Sequence, residues 1–396
     1  MRKITLRRVL TLPLGIPVLL YALALRPWRI LRIGRLRSER IGHYLMNTEL
    51  SICEASSPTS TGRVRTTDYY FNVKPVCNQQ VQKMWSRTIR VGPASFLRPA
   101  YLMFKALGLN QHIIQAPAED RDIRDRLLHY PPHLKFTREE NALGRIQVAE
   151  LLGDANAEWV CLHQRDAAYL SETLSQEDWS YHSYRDTPIG DYSLVAEELA
   201  SRGYFVVRMG KVTEEPLLAD NDRIIDYGRH PLRSDFLDVY LGAGCRFFLS
   251  TGSGIDSVAT VFRRPQVLVN FPLPFHPLIS NPHHVFIYQH FFDRENDEPM
   301  SLAELKKRGA ESFFSREAFQ SGGVRLVRNS PEEIRDAAVE MDERIKGTWM
   351  DSNTSVFQQA AFWSAFPRIP SIHGAAPFRA RIGCRFLEAN GHLSIE

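Results

Sequence analysis

In the second half of the chain, short apolar runs alternate with segments whose apolar positions return every three or four residues. Residues 159–163, 204–208, 224–226, 246–249 and 266–270 read as strands, and 191–201, 234–241 and 254–262 as helices between them. Alternation of this kind with short connections predicts a parallel sheet covered on both faces. Asp191 is the expected cap of the first helix. Ser301 with Glu304 and Ser330 with Glu333 have capping-box spacing and open two more helices, the second running to about Lys346 after a strand at 324–327. Residues 271–297 show no period and are expected to be irregular.

The first half is less regular. Ile30, Leu31 and Ile33 suggest a strand, 34–42 a loop and 43–55 a helix. The Ser-, Thr- and Gly-rich stretch 56–67 reads as a loop, 69–73 as a strand, and 78–87 as a helix with Val81, Met84 and Trp85 on one face. Residues 98–108 and 121–129 look helical around a loop at Pro117, and Thr137 caps a further helix after Pro131 and Pro132. The pattern divides the chain into a basic and apolar membrane-associating segment (1–27), an α/β domain (28–150), a second α/β domain (151–348) and a tail (349–396). The tail's helix, near 356–366, is expected to pack back on the first domain.

Arg2, Lys3, Arg7 and Arg8 precede the apolar run 9–25, and Arg26, Arg29, Arg32, Arg35 and Arg37 follow it. A signal peptide ending near Ala22-Leu23-Ala24, a short spanning helix carrying Pro13 and Pro17, and an interfacial anchor all fit. Positive charge on both flanks argues against translocation of either, which favours attachment to the cytoplasmic face of a membrane.

A length of 396 residues exceeds one ordinary core, and a formal charge of +4 without a nucleic-acid-reading motif gives no reason to expect a nucleic-acid partner. The five cysteines are widely spaced; none forms a C-x-x-C pair, so neither zinc nor a disulfide framework is indicated and a reducing compartment fits. Cys161 and Cys245 fall in apolar runs and read as core.

Ligands of doubly wound sheets sit beyond the carboxyl ends of the strands. Four such ends carry polar loops: His163-Gln164-Arg165-Asp166, Arg208-Met209-Gly210-Lys211, Asp226-Tyr227, and Ser250-Thr251-Gly252-Ser253-Gly254. The last, between a buried strand and a helix start, offers backbone N–H groups and a helix dipole to a phosphate, or is simply a tight turn. Arg165 and Arg208 could neutralise a diphosphate. Equally, Arg208 could form a salt bridge, and Arg165-Asp166 and Arg185-Asp186 structural ion pairs. Ser234 and Asp235 could position a donor's base or ribose, or cap their helix. His43, at a helix start, could act as a base or pack there. His283, His284 and His290 read as a solvated loop and the acids of 293–298 as another, so no metal site is expected.

Several joined motifs resemble a family of bacterial putative glycosyltransferases linked to surface-polysaccharide synthesis. They are Arg40-Ile41-Gly42-His43 with Asn47-Thr48-Glu49, Lys83-Met84-Trp85 with Arg87, Arg165-Asp166 with Tyr169, and His182-Ser183-Tyr184-Arg185-Asp186. Gly203 through Gly210, Ser234 through Asp238 with Tyr240-Leu241, and Ser250 through Gly254 continue the series. The likeness spans about Ile30 to Trp349, and the motif order is similar to fucosyltransferase-like members of the same fold. The resemblance implies an α/β chain of GT-B-like architecture: two facing Rossmann-like domains with parallel sheets and a cleft between them. The second would hold a nucleotide-sugar donor and the first a saccharide or lipid-linked acceptor. On that basis His43, Arg165 and Arg208 are the expected catalytic residues. Asp166, Gly210, Lys211, Ser234, Asp235, Ser250, Thr251, Gly252, Ser253 and Gly254 are expected to bind the donor, with no cofactor and no metal. Nucleotide-sugar epimerisation or hydrolysis, or non-catalytic glycan assembly, are the rival readings.

Overall fold

In the computed structural model, residues 12–56, 65–114, 122, 124–168, 180–277, 281–374 and 377–394 are described. Arg2, Lys3, Arg7, Arg8, most of the 56–67 loop, Pro117, the start of the 121–129 helix, Tyr169 and the side chain of His182 lie outside that description. The chain forms two compact units, Met1–Arg121 with Tyr130–Thr137, and Asp122–His129 with Arg138–Glu396.

The first unit is built on three parallel strands, β1 (Ile30–Leu36), β2 (Thr66–Asn72) and β3 (Ile113–Ile114), ordered β2-β1-β3. Leu31, Ile33 and Leu36 of the central strand are buried. Four helices accompany it: α1 (Ile16–Leu25), α2 (Ile41–Ala55), α3 (Gln79–Thr88) and α4 (Ala94–Ala106). Asn78 caps α3 by accepting from the Val81 N–H at 2.9 Å. Helix α1 is a structural element rather than a separate segment, because Leu19 and Ala22 sit in one core with Ile33, Phe71 and Phe104. The preceding turn presses on α4 so closely that a Cβ at Gly15 would lie 2.5 Å from the Ala100 nitrogen. Among the described residues no helix is long and apolar enough to cross a membrane.

The second unit opens with α5 (Arg126–His129) and α6 (Arg138–Leu152). Gly144 of α6 lies under the Tyr240 ring, where a Cβ would come within 2.3 Å of ring carbons. Helix α6 therefore starts this unit, ahead of the expected boundary at 150. Seven strands follow: β4 (Trp159–His163), β5 (Phe205–Arg208), β6 (Ile224–Ile225), β7 (Phe248–Ser250), β8 (Gln266–Phe271), β9 (His284–Tyr288) and, from the tail, β12 (Arg381–Ile382). They form one sheet, β12-β9-β8-β7-β4-β5-β6, and every pairing is parallel. Alternation along the strands fills two cores. Val160, Leu162, Val206 and Leu249 face one side, and Cys161, Phe205, Val207 and Phe248 the other. Helices α7 (Ser193–Ser201), α8 (Asp235–Gly244) and α9 (Ser257–Val261) connect these strands. A separate antiparallel pair, β10 (His290–Asp293) and β11 (Val324–Val327), flanks α10 (Leu302–Lys307) and α11 (Arg316–Ser321). Both expected capping boxes are formed, Ser301 with Glu304 at the start of α10 and Ser330 with Glu333 at the start of α12 (Pro331–Lys346).

Several expectations are corrected. The stretch 271–297 contains β9 and β10. The β9 residues are buried on both faces, so their apolar run has no alternation to reveal it. Asp191 does not cap α7; it pairs with Arg328 at 3.2 Å. The tail, expected on the first domain, is part of the second unit. It supplies β12 at the sheet edge, α13 (Asn353–Ala365), α14 (Pro370–His373) and α15 (Cys384–Ala389). Phe362, Phe366 and Phe386 join Phe286 and Tyr288 of β9 in one core, covering a strand that would otherwise expose both aromatics.

Candidate functional site

The chain runs outward from β4 through β5 to β6, then returns to lay β7 on the other side of β4. In an open parallel sheet this reversal leaves a crevice beyond the carboxyl ends of the two diverging strands, where ligands of such sheets bind. His163 and Ser250, the last residues of β4 and β7, are register partners at that point. The residues beyond them, Gln164-Arg165-Asp166 and Thr251-Gly252-Ser253-Gly254, are those singled out by the strand-end pattern.

Arg165 donates from Nε to Asp186 Oδ1 at 3.1 Å, and its carbonyl accepts from the Thr187 N–H at 3.0 Å, docking segment 183–187 on the end of β4. Gln289 Nε2 anchors the same segment by donating to the Tyr184 carbonyl at 3.1 Å. Arg185 reaches across to β7 and donates to the Gly252 carbonyl. Burial lowers the Arg165 pKa, and the neighbouring Arg185 charge lowers it further, against the raising effect of Asp186. Two guanidinium groups are thus held close enough to repel beside the β7 loop, an arrangement that an anion relieves. Arg185, which the sequence suggested only as a structural ion pair, is the cation that spans the crevice.

The 250–254 loop differs from the expected phosphate cradle. Asp256 Oδ2 accepts from the Ser250 hydroxyl at 2.8 Å and from the Ser253 N–H at 2.7 Å, while the Gly252 N–H donates to Ser250 Oγ at 3.2 Å. A carboxylate of the chain itself takes up donors assigned to phosphate. The helix that follows begins at Ser257 rather than 254 and has only five residues, too short to present a useful dipole. What the loop does offer is two hydroxyls, Thr251 Oγ1 and Ser253 Oγ, buried without a hydrogen-bond partner. Gly252 supplies the left-handed backbone (φ 77°) that turns them there.

Arg208 is placed differently from its expectation. Its side chain is fully buried, with Nη1 donating to Asp226 Oδ2 at 3.2 Å and to the Glu215 carbonyl, and Nη2 donating to Gln164 Oε1 at 3.4 Å. Asp166 Oδ2 lies 3.9 Å away. Burial pulls the guanidinium below its ordinary pKa against the pull of Asp226. The geometry forms the alternative reading, a salt bridge in which carboxylates already hold this charge. Asp166 likewise closes its own loop, accepting from the N–H groups of Ala168 (3.1 Å) and Glu214 (3.0 Å). Gly210 allows a tight approach, for a Cβ there would lie 2.8 Å from Thr213 Cγ2, and Lys211 is exposed. Ser234 is the N-cap of α8, accepting from the Leu237 N–H at 3.1 Å. Asp235 lies in the first turn of α8, 3.5 Å from Arg233.

His163 is the residue that sequence reasoning underused. Its Nδ1 lies 2.9 Å from the Met209 carbonyl, so the neutral ring donates there and keeps its lone pair on Nε2. Burial lowers its pKa, and Arg208 and Arg165 oppose protonation further. It is a neutral imidazole at the switch point. In the first unit, His43 lies in the first turn of α2, its Nδ1 3.1 Å from Asn47 Oδ1. Of the other histidines, His283 lies in an exposed turn as expected, while the loop reading of His284 and His290 is corrected. His284 is buried in β9, where loss of hydration lowers its pKa to about 3. His290 lies 3.0 Å from Glu333.

No family model matches the chain, and no curated protein matches it. Among solved structures it is similar to a glycosyl transferase family 9 protein from Veillonella parvula, at 10% identity and TM-score 0.41 over 78% of this chain and 96% of that one. It is also similar to the Escherichia coli ADP-heptose LPS heptosyltransferase II, at 14% identity and TM-score 0.33 over 60% of this chain and 84% of that one. A third is the E. coli heptosyltransferase WaaC with ADP, at 13% identity and TM-score 0.33 over 65% and 91%.

Proposed function

We propose that the chain is a glycosyltransferase whose nucleotide-sugar donor binds in the crevice between β4 and β7. One observation carries this reading: the switch point of the seven-stranded sheet is where Arg165, Arg185 and the unpartnered hydroxyls of Thr251 and Ser253 gather. The donor's bond from the anomeric carbon to the diphosphate oxygen breaks, and the electron pair leaves with the diphosphate. The two guanidinium groups and two hydroxyls stabilise the charge that develops there. An acceptor hydroxyl forms the new glycosidic bond and gives its proton to an imidazole. His43 is the proposed base on the acceptor side, and His163 Nε2 the proposed hydrogen-bond acceptor for the donor. Two arginines supply the charge a divalent cation would otherwise provide, so donor binding is expected to survive a chelator. The acceptor is a saccharide or lipid-linked saccharide of surface-polysaccharide synthesis, as the motif resemblance implies.

The acceptor's setting is a membrane surface. All ten residues of α1, IPVLLYALAL, are apolar or aromatic; Leu19 and Ala22 are buried, while Ile16, Leu20, Tyr21 and Leu23 stay exposed with Leu14 before them. A helix apolar all round needs cover on its second face as well. Exposed Phe96 and Leu102 on the adjoining α4 enlarge that surface. Exposed Arg26, Arg29, Arg98 and Lys105 in the same two elements and their flanks match an anionic bilayer.

Thermal denaturation of the full chain with nucleoside diphosphates and nucleotide sugars, with and without chelator, tests the donor site, because a ligand of the native state raises the melting temperature. No rise with any diphosphate overturns the reading. A donor-only incubation separates transfer from hydrolysis. Flotation with phosphatidylglycerol-containing vesicles should carry the protein, and Leu20→Glu with Tyr21→Glu should abolish it; concentration-dependent dimerisation without vesicle binding would instead assign the face to a second copy.

A further inference from the structure

Three side chains of the first unit converge without any shared sequence motif. Glu49 and Cys53 are four residues apart on α2, which sets them one above the other on a single face. His133 arrives from the segment 130–137, its Nδ1 at 3.1 Å from Glu49 Oε1 and 4.0 Å from Cys53 Sγ. The three donor atoms all lie within 4.8 Å of one another. Glu49 and Cys53 are fully buried, and the His133 side chain is 21% exposed. The His133 backbone N–H also points at Glu49 Oε1, at 3.4 Å.

We propose that Glu49, Cys53 and His133 bind a divalent transition-metal ion, with zinc as the best match. A thiolate, an imidazole and a carboxylate form a mixed set that suits zinc, cobalt(II) or iron(II) and disfavours magnesium and calcium, which prefer oxygen alone. An ion about 2.0–2.3 Å from each donor would subtend about 100° between the Glu49 oxygen and the His133 nitrogen, and about 135° between that nitrogen and the Cys53 sulfur. Both angles depart from the ideal tetrahedral value, so coordination requires the Cys53 sulfur to close on its partners from separations of 4.0 Å to the nitrogen and no more than 4.8 Å to the carboxylate oxygen. Binding requires two proton movements. The Cys53 thiol releases its proton to solvent, and the His133 ring carries its proton on Nε2 so that Nδ1 can coordinate. Water completes the fourth position from the exposed side of His133.

The ion would join α2 to the segment 130–137, which lies next to the chain's passage from the first unit to the second at 137–138. The expected effect is on stability of the first unit rather than on donor chemistry. A rival account needs no metal: a buried carboxylate held by an imidazole and a backbone N–H, with a thiol as neighbour. The two differ in what the sulfur does.

The full chain, reduced and stripped with a chelator, is titrated with cobalt(II). Coordination through Cys53 gives a near-ultraviolet thiolate-to-cobalt charge-transfer band and tetrahedral visible bands, at one equivalent, and zinc displaces them. Cys53→Ser should remove the charge-transfer band, and Glu49→Gln should weaken binding by more than the about 10–100-fold typical of losing an outer partner. Cys77→Ser, at a half-buried cysteine outside the cluster, should leave the band intact. Zinc should raise the melting temperature of the wild type and not of Cys53→Ser, each checked for folding by circular dichroism. No thiolate band in the wild type, or an undiminished band in folded Cys53→Ser, overturns the proposal and leaves the carboxylate–imidazole pair.

Discussion

Two groups of arginines lie along one edge of the same sheet, and their surroundings give them different roles. Beyond β5, Arg208 is enclosed by Asp226, Asp166 and Gln164 and touches no solvent. Beyond β4 and β7, Arg165 is paired with Asp186 and Arg185 with the Gly252 carbonyl, the two charges disfavour each other, and the same loop carries two unpartnered hydroxyls. Strand-end position alone made Arg165 and Arg208 look equivalent. The carboxylates around each separate a charge that holds loops together from charges still able to hold an anion.

Removing a cation from the enclosed group should cost most. Arg208→Ala leaves two carboxylates without their counter-charge in a buried setting, and a loss of about 3–5 kcal/mol in unfolding free energy is expected. Chemical denaturation reads it; a variant as stable as the wild type would erase the distinction between the groups. At the switch point the loss should fall on binding instead. Arg165→Ala with Arg185→Ala should weaken nucleoside diphosphate binding by about 10²–10⁴-fold, at roughly 1.5–3 kcal/mol for each of two hydrogen bonds to charged groups. Calorimetric titration of the folded variant is the measurement, and unchanged affinity would place the anion elsewhere.

His163 stands between the two groups and sharpens the contrast through pH. Its folded pKa lies below the ordinary value, so the unfolded chain takes up the proton first. Its contribution to stability is complete above about pH 6.5 and declines as pH falls below that, by at most about 1.4 kcal/mol per unit. His163→Gln should flatten this part of the stability profile, measured by denaturation from pH 7 to 5. The smallest effect belongs to the hydroxyls. Thr251→Val and Ser253→Ala should change stability by no more than about 0.5 kcal/mol, yet each should weaken diphosphate binding by about 0.5–1.5 kcal/mol. Equal losses in both measurements would make the loop merely structural.

Much of this was legible in the order of residues. Apolar runs ending in polar loops located β4, β5, β7 and β8, and Ser-x-x-Glu spacing located the starts of α10 and α12. Strand β9 escapes the pattern because burial on both faces removes alternation, and the tail's partner is not legible because aromatic residues announce burial but not the surface they bury against. Ser250 through Gly254 has the composition of a phosphate loop, but two of its donors are taken up locally. Asp256, three residues after Ser253, supplies the anion locally, and only coordinates reveal where a carboxylate turns. Arg185 was visible as a charge but not as a bridge to Gly252, since nothing in its own neighbourhood encodes a partner 67 positions away. Glu49, Cys53 and His133 were hidden for the same reason.

The packing of α1 bears on how the protein can be handled. Shortening the chain to begin at residue 28, a natural choice for improving solubility, would strip away the greasy outer surface and also pull Leu19 and Ala22 out from beside Phe104. The trimmed product would trade one exposed hydrocarbon face for another, now on α4 and the sheet behind it. Detergent, or polar replacements restricted to the outward positions 16, 20, 21 and 23, is the gentler route to a well-behaved sample.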